Sequence, residues 1–262
     1  MSLIYSAITP HSSLLIPGVG KKNTELLKKT SDSLKRIEED LYAAQIETLI
    51  IISSHSSSAD ETFALNLAPE FQINFEEFGD FTSKKTLPGD ILLTQEIKQN
   101  LSREYKAGLI NKTVLNHGSG VPLYLLTENL KNIKIIPIYC AQTDLPTHLS
   151  VGENLQKTLV ESNQRIAVIA SGDLSHTLTP NAPGGYSPKA PGFDQKVIEQ
   201  LQNKKIPELT KTNPELLEEV QTEGLKAISL LMGVLNKMNY TPKLLSYEHP
   251  FGVGYLAMSF YL

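Results

Sequence analysis

The sequence predicts an α/β fold: one mostly parallel central sheet with helices on both faces, built from residues 1–262 as a single domain. Three observations predict it. Short apolar runs rich in Ile, Val and Ala recur at residues 3–8, 48–53, 134–139 and 166–170, and such runs suit strands buried on both faces. Segments with apolar residues at helical spacing separate them. The runs stop abruptly in small or polar residues, and His11, His55 and His176 follow three of these stops. In open α/β sheets, ligands collect beyond the carboxyl ends of the strands.

Taken in order, residues 3–8 form a first strand that Pro10 ends, with His11 directly after it. Residues 12–23 read as a loop; their glycines fit neither a Walker loop nor a dinucleotide fingerprint. Residues 23–44 place Leu26, Leu27, Leu34, Ile37 and Leu41 near helical spacing, which predicts a long amphipathic helix. Residues 48–53 form the next strand and end at Ser54 and His55. This is a βαβ unit with a histidine at each strand end, and parallel strands put both histidines on one sheet edge. Residues 63–75 suggest a strand interrupted at Pro69, residues 78–89 read as irregular, and residues 91–103 as a helix with Thr94 as a cap. Residues 109–115 suit a strand. His117 falls in a glycine-bearing loop, followed by an apolar helix with Pro122 in its first turn.

Residues 134–139 form another buried strand, made less regular by Pro137, and residues 145–161 a helix. His148, in the first turn of that helix, reads as structural or exposed because no strand end presents it. The strand at 166–170 runs into Ser171, Gly172 and Asp173, turn formers that present His176. A Pro- and Gly-rich stretch, 177–192, reads as an active-site loop. Helices follow at 193–201, from 214, and at 223–235. Strands at 244–247 and 253–261 close the chain around Glu248.

Composition narrows the function. Net charge is −4, so the chain has no basic footprint for nucleic acid. One cysteine, Cys140, excludes a disulfide framework and a thiolate metal cluster. No secretory signal and no apolar run of about 20 residues is visible, which makes a cytoplasmic, non-membrane protein the expectation.

Two histidines and a carboxylate with open positions suit a non-haem iron(II) that binds substrate and oxygen. His11 and His55 supply neutral imidazoles; Glu223, Glu248 and Asp173 are the carboxylate candidates. His117 and His176 stay off the metal, free to take a proton from a bound hydroxyl or to orient oxygen. Zinc accepts the same ligand types, so hydrolytic zinc chemistry stays open. Nucleophilic readings are poorer: no G-x-S-x-G elbow exists, and the serines of residues 53–58 read as a polar strand-end loop.

TPH near the start, SSHS after the second strand, NHGSGVPLYLL, ASGDLSH, FDQKVIEQL and TEGLKAISLLMGVL occur in that order over most of the chain. Together they resemble the catalytic subunit of class III extradiol dioxygenases, the group that includes protocatechuate 4,5-dioxygenase. The resemblance implies an iron(II) site of His11, His55 and Glu223, with His176 as acid/base and His117 in the substrate pocket. Glu223 is placed by the apolar helix after it, and Glu248 is its rival. The implied substrates are a catechol-type small molecule and O2. Such subunits often have a small helical partner subunit or domain; none is visible here, so the chain would act alone, as a homo-oligomer or with a partner. The loop after His176 also resembles the Memo-like relatives, in which the fold need not work as a dioxygenase. The alternatives are therefore a Memo-like metal-binding protein without dioxygenase activity, or a zinc-dependent hydrolase.

Overall fold

A computed structural model describes residues 2–55 and 60–262. Strand β1 (Leu3–Thr9) leads through helical turns, including α1 (Pro17–Gly20), into helix α2 (Lys28–Ala43) and strand β2 (Thr48–Ser53). Strands β3 (Phe63–Asn66), β4 (Glu70–Phe75) and β5 (Asp80–Pro88) precede helix α3 (Ile91–Leu101), strand β6 (Ala107–Ile110) and helix α4 (His117–Leu126). Strand β7 (Lys134–Tyr139), helix α5 (Leu145–Glu161) and strand β8 (Ile166–Ser171) complete the parallel core. Helices α6 (Ala190–Gln202), α7 (Ile206–Leu209), α8 (Pro214–Val220) and α9 (Gly224–Val234) lead to strands β9 (Thr241–Glu248) and β10 (Tyr255–Tyr261).

Among the described residues, an eight-stranded sheet has the order β6-β3-β7-β2-β8-β1-β10-β9. Its centre, β7-β2-β8-β1, is parallel; β10 and β9 extend it antiparallel. The two-residue pleat splits the core strands between two packed faces. Ile50, Ile52 and Val168 join the side chains of α5, α6 and α9; Leu49, Ile51 and Ile169 join those of α2 and α4. Both faces are covered, which is why these strands read as continuous apolar runs. No helix among the described residues is long and apolar enough to cross a membrane.

Several local expectations change. The helix expected from residue 23 starts at Lys28, after a 3-10 segment over Lys21–Leu27, and residues 13–20 form short helical turns rather than a plain loop. Pro69 does not interrupt one strand; it separates β3, in the main sheet, from β4, which pairs with β5 in a hairpin. β5 read as irregular because only its end positions, Asp80 and Leu87, are buried, so no apolar alternation marks it. The strand expected at 109–115 is instead β6, and Asp90, not Thr94, caps α3 by accepting from the Leu93 N–H. Of the two readings of His148, the structural one agrees with its place: it is fully buried, with its Nδ1–H donated to the Asp144 carbonyl at 2.8 Å.

Register aligns the strand ends. Thr9 and Ser53 each pair with Ser171, and Ser53 pairs with Tyr139. Residues just past these positions therefore meet at one edge of the sheet.

Candidate metal centre

His11 stands two residues beyond Thr9, and its backbone N–H donates to Asp173 Oδ1 at 3.1 Å. Its Nδ1 lies 3.3 Å from Ser171 Oγ. The Ser171 hydroxyl donates to the Gly118 carbonyl. That carbonyl is free because its helical partner four residues on is Pro122, which has no N–H. With its own proton committed, Ser171 Oγ accepts from His11 Nδ1–H. Neutral His11 then keeps its lone pair on Nε2, the ligand-ready tautomer.

His55 stands two residues beyond Ser53, whose Oγ accepts its backbone N–H at 3.2 Å. Its carbonyl accepts from Asn116 Nδ2 at 2.7 Å, while Asn116 Oδ1 accepts the Ser119 N–H as N-cap of α4. His117 is thus the first residue of a capped helix, not part of a loop, and Pro122 is its sixth residue. The expected serine loop extends into residues 56–59, which lie outside the described residues.

Glu223 is the N-cap residue of α9 and makes no side-chain cap bond of its own. A Cβ on Gly172 would fall 2.3 Å from the Gly224 Cα. Only glycines permit this approach of the β8 turn to the α9 start, and the Gly224 N–H donates to the Asp173 carbonyl at 3.0 Å across it.

These supports bring the side chains together. His11 Nε2 and His55 Nε2 are 2.9 Å apart. The Glu223 carboxylate reaches both, Oε1 at 3.3 Å from His11 and Oε2 at 3.3 Å from His55. Donors bound to a metal at about 2.1 Å and at right angles stand about 3.0 Å apart, so these atoms have the spacing of ligands on one cation. The electrostatics agree. Burial would raise the Glu223 pKa, but His11, His176 and His55 outweigh it and hold the carboxylate far below its usual range. Burial would lower that of His11, but Asp173 and Glu223 hold it above its usual value. A carboxylate that draws protons onto its histidine neighbours fits a site built for a cation, which would displace those protons.

The rival carboxylates are occupied otherwise. Glu248 Oε1 accepts the Thr30 N–H at 2.8 Å and its hydroxyl at 2.6 Å, capping the first turn of α2. Asp173 Oδ2 is 3.8 Å from His11 Nε2, but its other oxygen holds the His11 backbone.

His176 Nε2 lies 3.4 Å from Glu223 Oε1. Its Nδ1 donates to the Leu174 carbonyl at 3.1 Å, so the neutral ring has its lone pair on Nε2, facing the centre. Burial would lower its pKa, but Glu223 and Asp173 outweigh that and raise it. His117 lies on the other side. Its ring centroid is 4.5 Å from that of His55, and Phe78 meets it edge-on at 5.5 Å. Burial, with His55 and His11 nearby, pushes its pKa down to about 4, which keeps it neutral at neutral pH. His11, His55 and His117 also offer ligand atoms that lie within 4.8 Å of one another, a looser set than the one with Glu223.

A cavity of about 580 Å³ opens beside His55 and His117, walled also by Asn74, Glu77, Lys112 and Tyr139. A second, of about 470 Å³, borders Glu223 from the side of Ser54 and Lys226. A larger one, about 750 Å³, lies at the opposite end of the strands, near Glu47, Lys134 and Gln164, away from the histidines. Sequence reasoning missed Ser171, Asn116 and the hairpin residues Glu77 and Phe78. Pro122 four residues after Gly118 was a readable signal for a freed carbonyl, and Asn116 before HGS for an N-cap.

The sequence model of the LigB family, the catalytic LigB subunit of aromatic ring-opening dioxygenase, matches residues 5–258. The chain belongs to the LigB family. Protein CA_C1420 of Clostridium acetobutylicum is 28% identical over 273 residues, an alignment covering 98% of this chain and 57% of that protein. The chain therefore spans little more than half of that relative's length. The 3,4-dihydroxyphenylacetate 2,3-dioxygenase of Escherichia coli is 24% identical, with 91% of this LigB-family chain and 92% of that enzyme covered. In the solved structure of uncharacterized protein JW3007 from Escherichia coli K12, the fold matches with a TM-score of 0.70 at 15% identity, over 98% of this chain and 99% of that one.

Proposed function

We propose that residues 1–262 form one catalytic domain that acts as an iron(II)-dependent extradiol dioxygenase, opening the ring of a catechol-type substrate with O2. The observation that carries this reading is the convergence of His11 Nε2, His55 Nε2 and the Glu223 carboxylate within 3.3 Å. These three side chains would hold the metal. Iron(II) held there would supply Lewis acidity and would template the catechol and O2.

The chain's own residues do the rest. His176, with its Nε2 lone pair facing the centre, takes the proton of the second catechol hydroxyl as the substrate binds and returns it later. His117 stays neutral and hydrogen-bonds the substrate from the cavity wall. Phe78 packs edge-on against the His117 ring and helps hold it in place. Ser171 and Asp173 keep His11 in its tautomer and place. Both atoms of O2 enter the product, so no outside reductant is needed.

A second reading rests on the three imidazoles of His11, His55 and His117, a set that suits zinc with a bound water, in a Memo-like protein or a hydrolase. One experiment separates them: metal content of the purified protein, with oxygen uptake on a panel of catechols. Iron-dependent uptake supports the dioxygenase. Tight zinc with no uptake in the iron-reconstituted protein would replace that reading with the second.

A further inference from the structure

Lys226 stands in the first turn of α9, three residues after Glu223, and lines the 470 Å³ cavity that borders that carboxylate. Its placement breaks two local rules. A cation in the first turn of a helix opposes the helix dipole, which favours acidic residues there. An ammonium taken partly out of water gains from a charged partner. Among the described residues, no Asp or Glu oxygen lies within 4.0 Å of its Nζ; its hydrogen-bond partner is the Gln142 Oε1 at 2.6 Å, a neutral acceptor. Burial accordingly lowers its pKa.

The cavity around it is otherwise of mixed character. Leu145, Leu217 and Leu225 give it apolar walls, and Glu218 stands exposed on its α8 side. Glu223, the other carboxylate on this cavity, is directed to His11, His55 and His176 instead of to Lys226. The cavity beside His117 differs. Its lysine, Lys112, is exposed, so its charge is solvated. An exposed lysine costs nothing when unpaired, whereas a half-buried one does.

We propose that Lys226 is a specificity-determining residue that binds an ionised carboxylate on the side arm of the substrate, so that the chain selects acidic over neutral catechols. This rests on the dioxygenase reading above. The ammonium donates to the carboxylate, the leucines cover the arm's methylenes, and the dihydroxylated ring points toward Glu223 and its histidine neighbours. A charge-assisted hydrogen bond of this kind is worth about 1.5–3 kcal/mol, or roughly 10- to 150-fold in affinity.

The test is calorimetric titration, without oxygen, of the full chain loaded with iron(II). The probes are 3,4-dihydroxyphenylacetate, which carries the acid, and 4-methylcatechol, which does not. Lys226→Met should weaken binding of the acid at least tenfold, leave 4-methylcatechol unchanged and leave iron content unchanged. Lys226→Arg should retain more of the acid's affinity than Lys226→Met. If Lys226→Met fails to fold, judged by circular dichroism, Lys226→Gln serves in its place with the same expectation. Two wild-type probes that bind well, with no selective loss in the variant, would overturn the role of Lys226 and leave the dioxygenase reading intact. A wild-type protein that holds iron but binds neither catechol would overturn both.

Discussion

Replacing Ser171 with alanine should weaken the metal centre without touching any ligand. The hydroxyl serves two buried groups at once: it donates to the Gly118 carbonyl and accepts from His11 Nδ1. Its loss strands both. An unsatisfied buried polar group costs about 1–3 kcal/mol, so the metal-free variant should lose roughly 2–4 kcal/mol of stability, allowing for partial relaxation. His11 also loses the acceptor that selects its tautomer, and partners of this kind are typically worth about 10- to 100-fold in metal affinity. Urea unfolding and an anaerobic iron(II) titration against a competing chelator measure the two effects. Pro122→Ala provides an internal control. It gives the Gly118 carbonyl an N–H from residue 122, so Ser171→Ala should cost at least about 1 kcal/mol less stability in that background. A Ser171→Ala protein with wild-type stability and wild-type iron affinity would refute the relay.

Glu248→Gln should leave iron content intact and lower stability by about 1 kcal/mol through the α2 cap, whereas Glu223→Gln should lose most of the iron; metal analysis and thermal melts check both. His176→Gln should keep iron and lose on the order of 10²–10⁴ in turnover on an accepted catechol; loss of iron would make His176 a ligand, and full turnover would make it structural. His148 is fully buried, its Nε2 has no hydrogen-bond partner among the described residues, and burial lowers its pKa to about 4. Its folded value lies below the unfolded one of about 6.5, so the unfolded chain binds the extra proton between them and stability falls as pH drops through that window. The full effect is about 3 kcal/mol. Denaturant titrations at pH 7 and 4.5 should show His148→Asn losing markedly less stability than the wild type; equal losses would remove His148 as the cause.

The strand ends were legible because burial on both faces writes itself as uninterrupted Ile and Val, and because a parallel sheet brings successive carboxyl ends to one edge. His11, His55 and His176 followed from that alone. Glu223 did not. It stands at the start of a helix whose direction the one-dimensional pattern does not reveal, and only the resemblance separates it from Glu248. The geometry shows the reason for the separation: Gly172 on Gly224 brings the α9 start to the β8 turn, while Glu248 lies at the start of α2. Contacts between distant segments leave no periodicity behind. The β4–β5 hairpin escaped for another reason: a strand exposed along most of its length alternates nothing apolar. The glycines of HGSG suggest a break and place His117 in a loop, yet Asn116 caps the turn and lets a helix begin there.

The most direct test of the central claim is the fate of labelled oxygen. The iron-reconstituted protein, supplied with a catechol and ¹⁸O2, should give a ring-opened product that carries both labelled atoms, with one O2 consumed per substrate and the activity lost in His11→Ala, His55→Ala and Glu223→Gln. No labelled atom in the ring-opened product, or an intact ring oxidised to a quinone, would contradict it; borohydride in the quench reduces the product's carbonyl before its label exchanges with water.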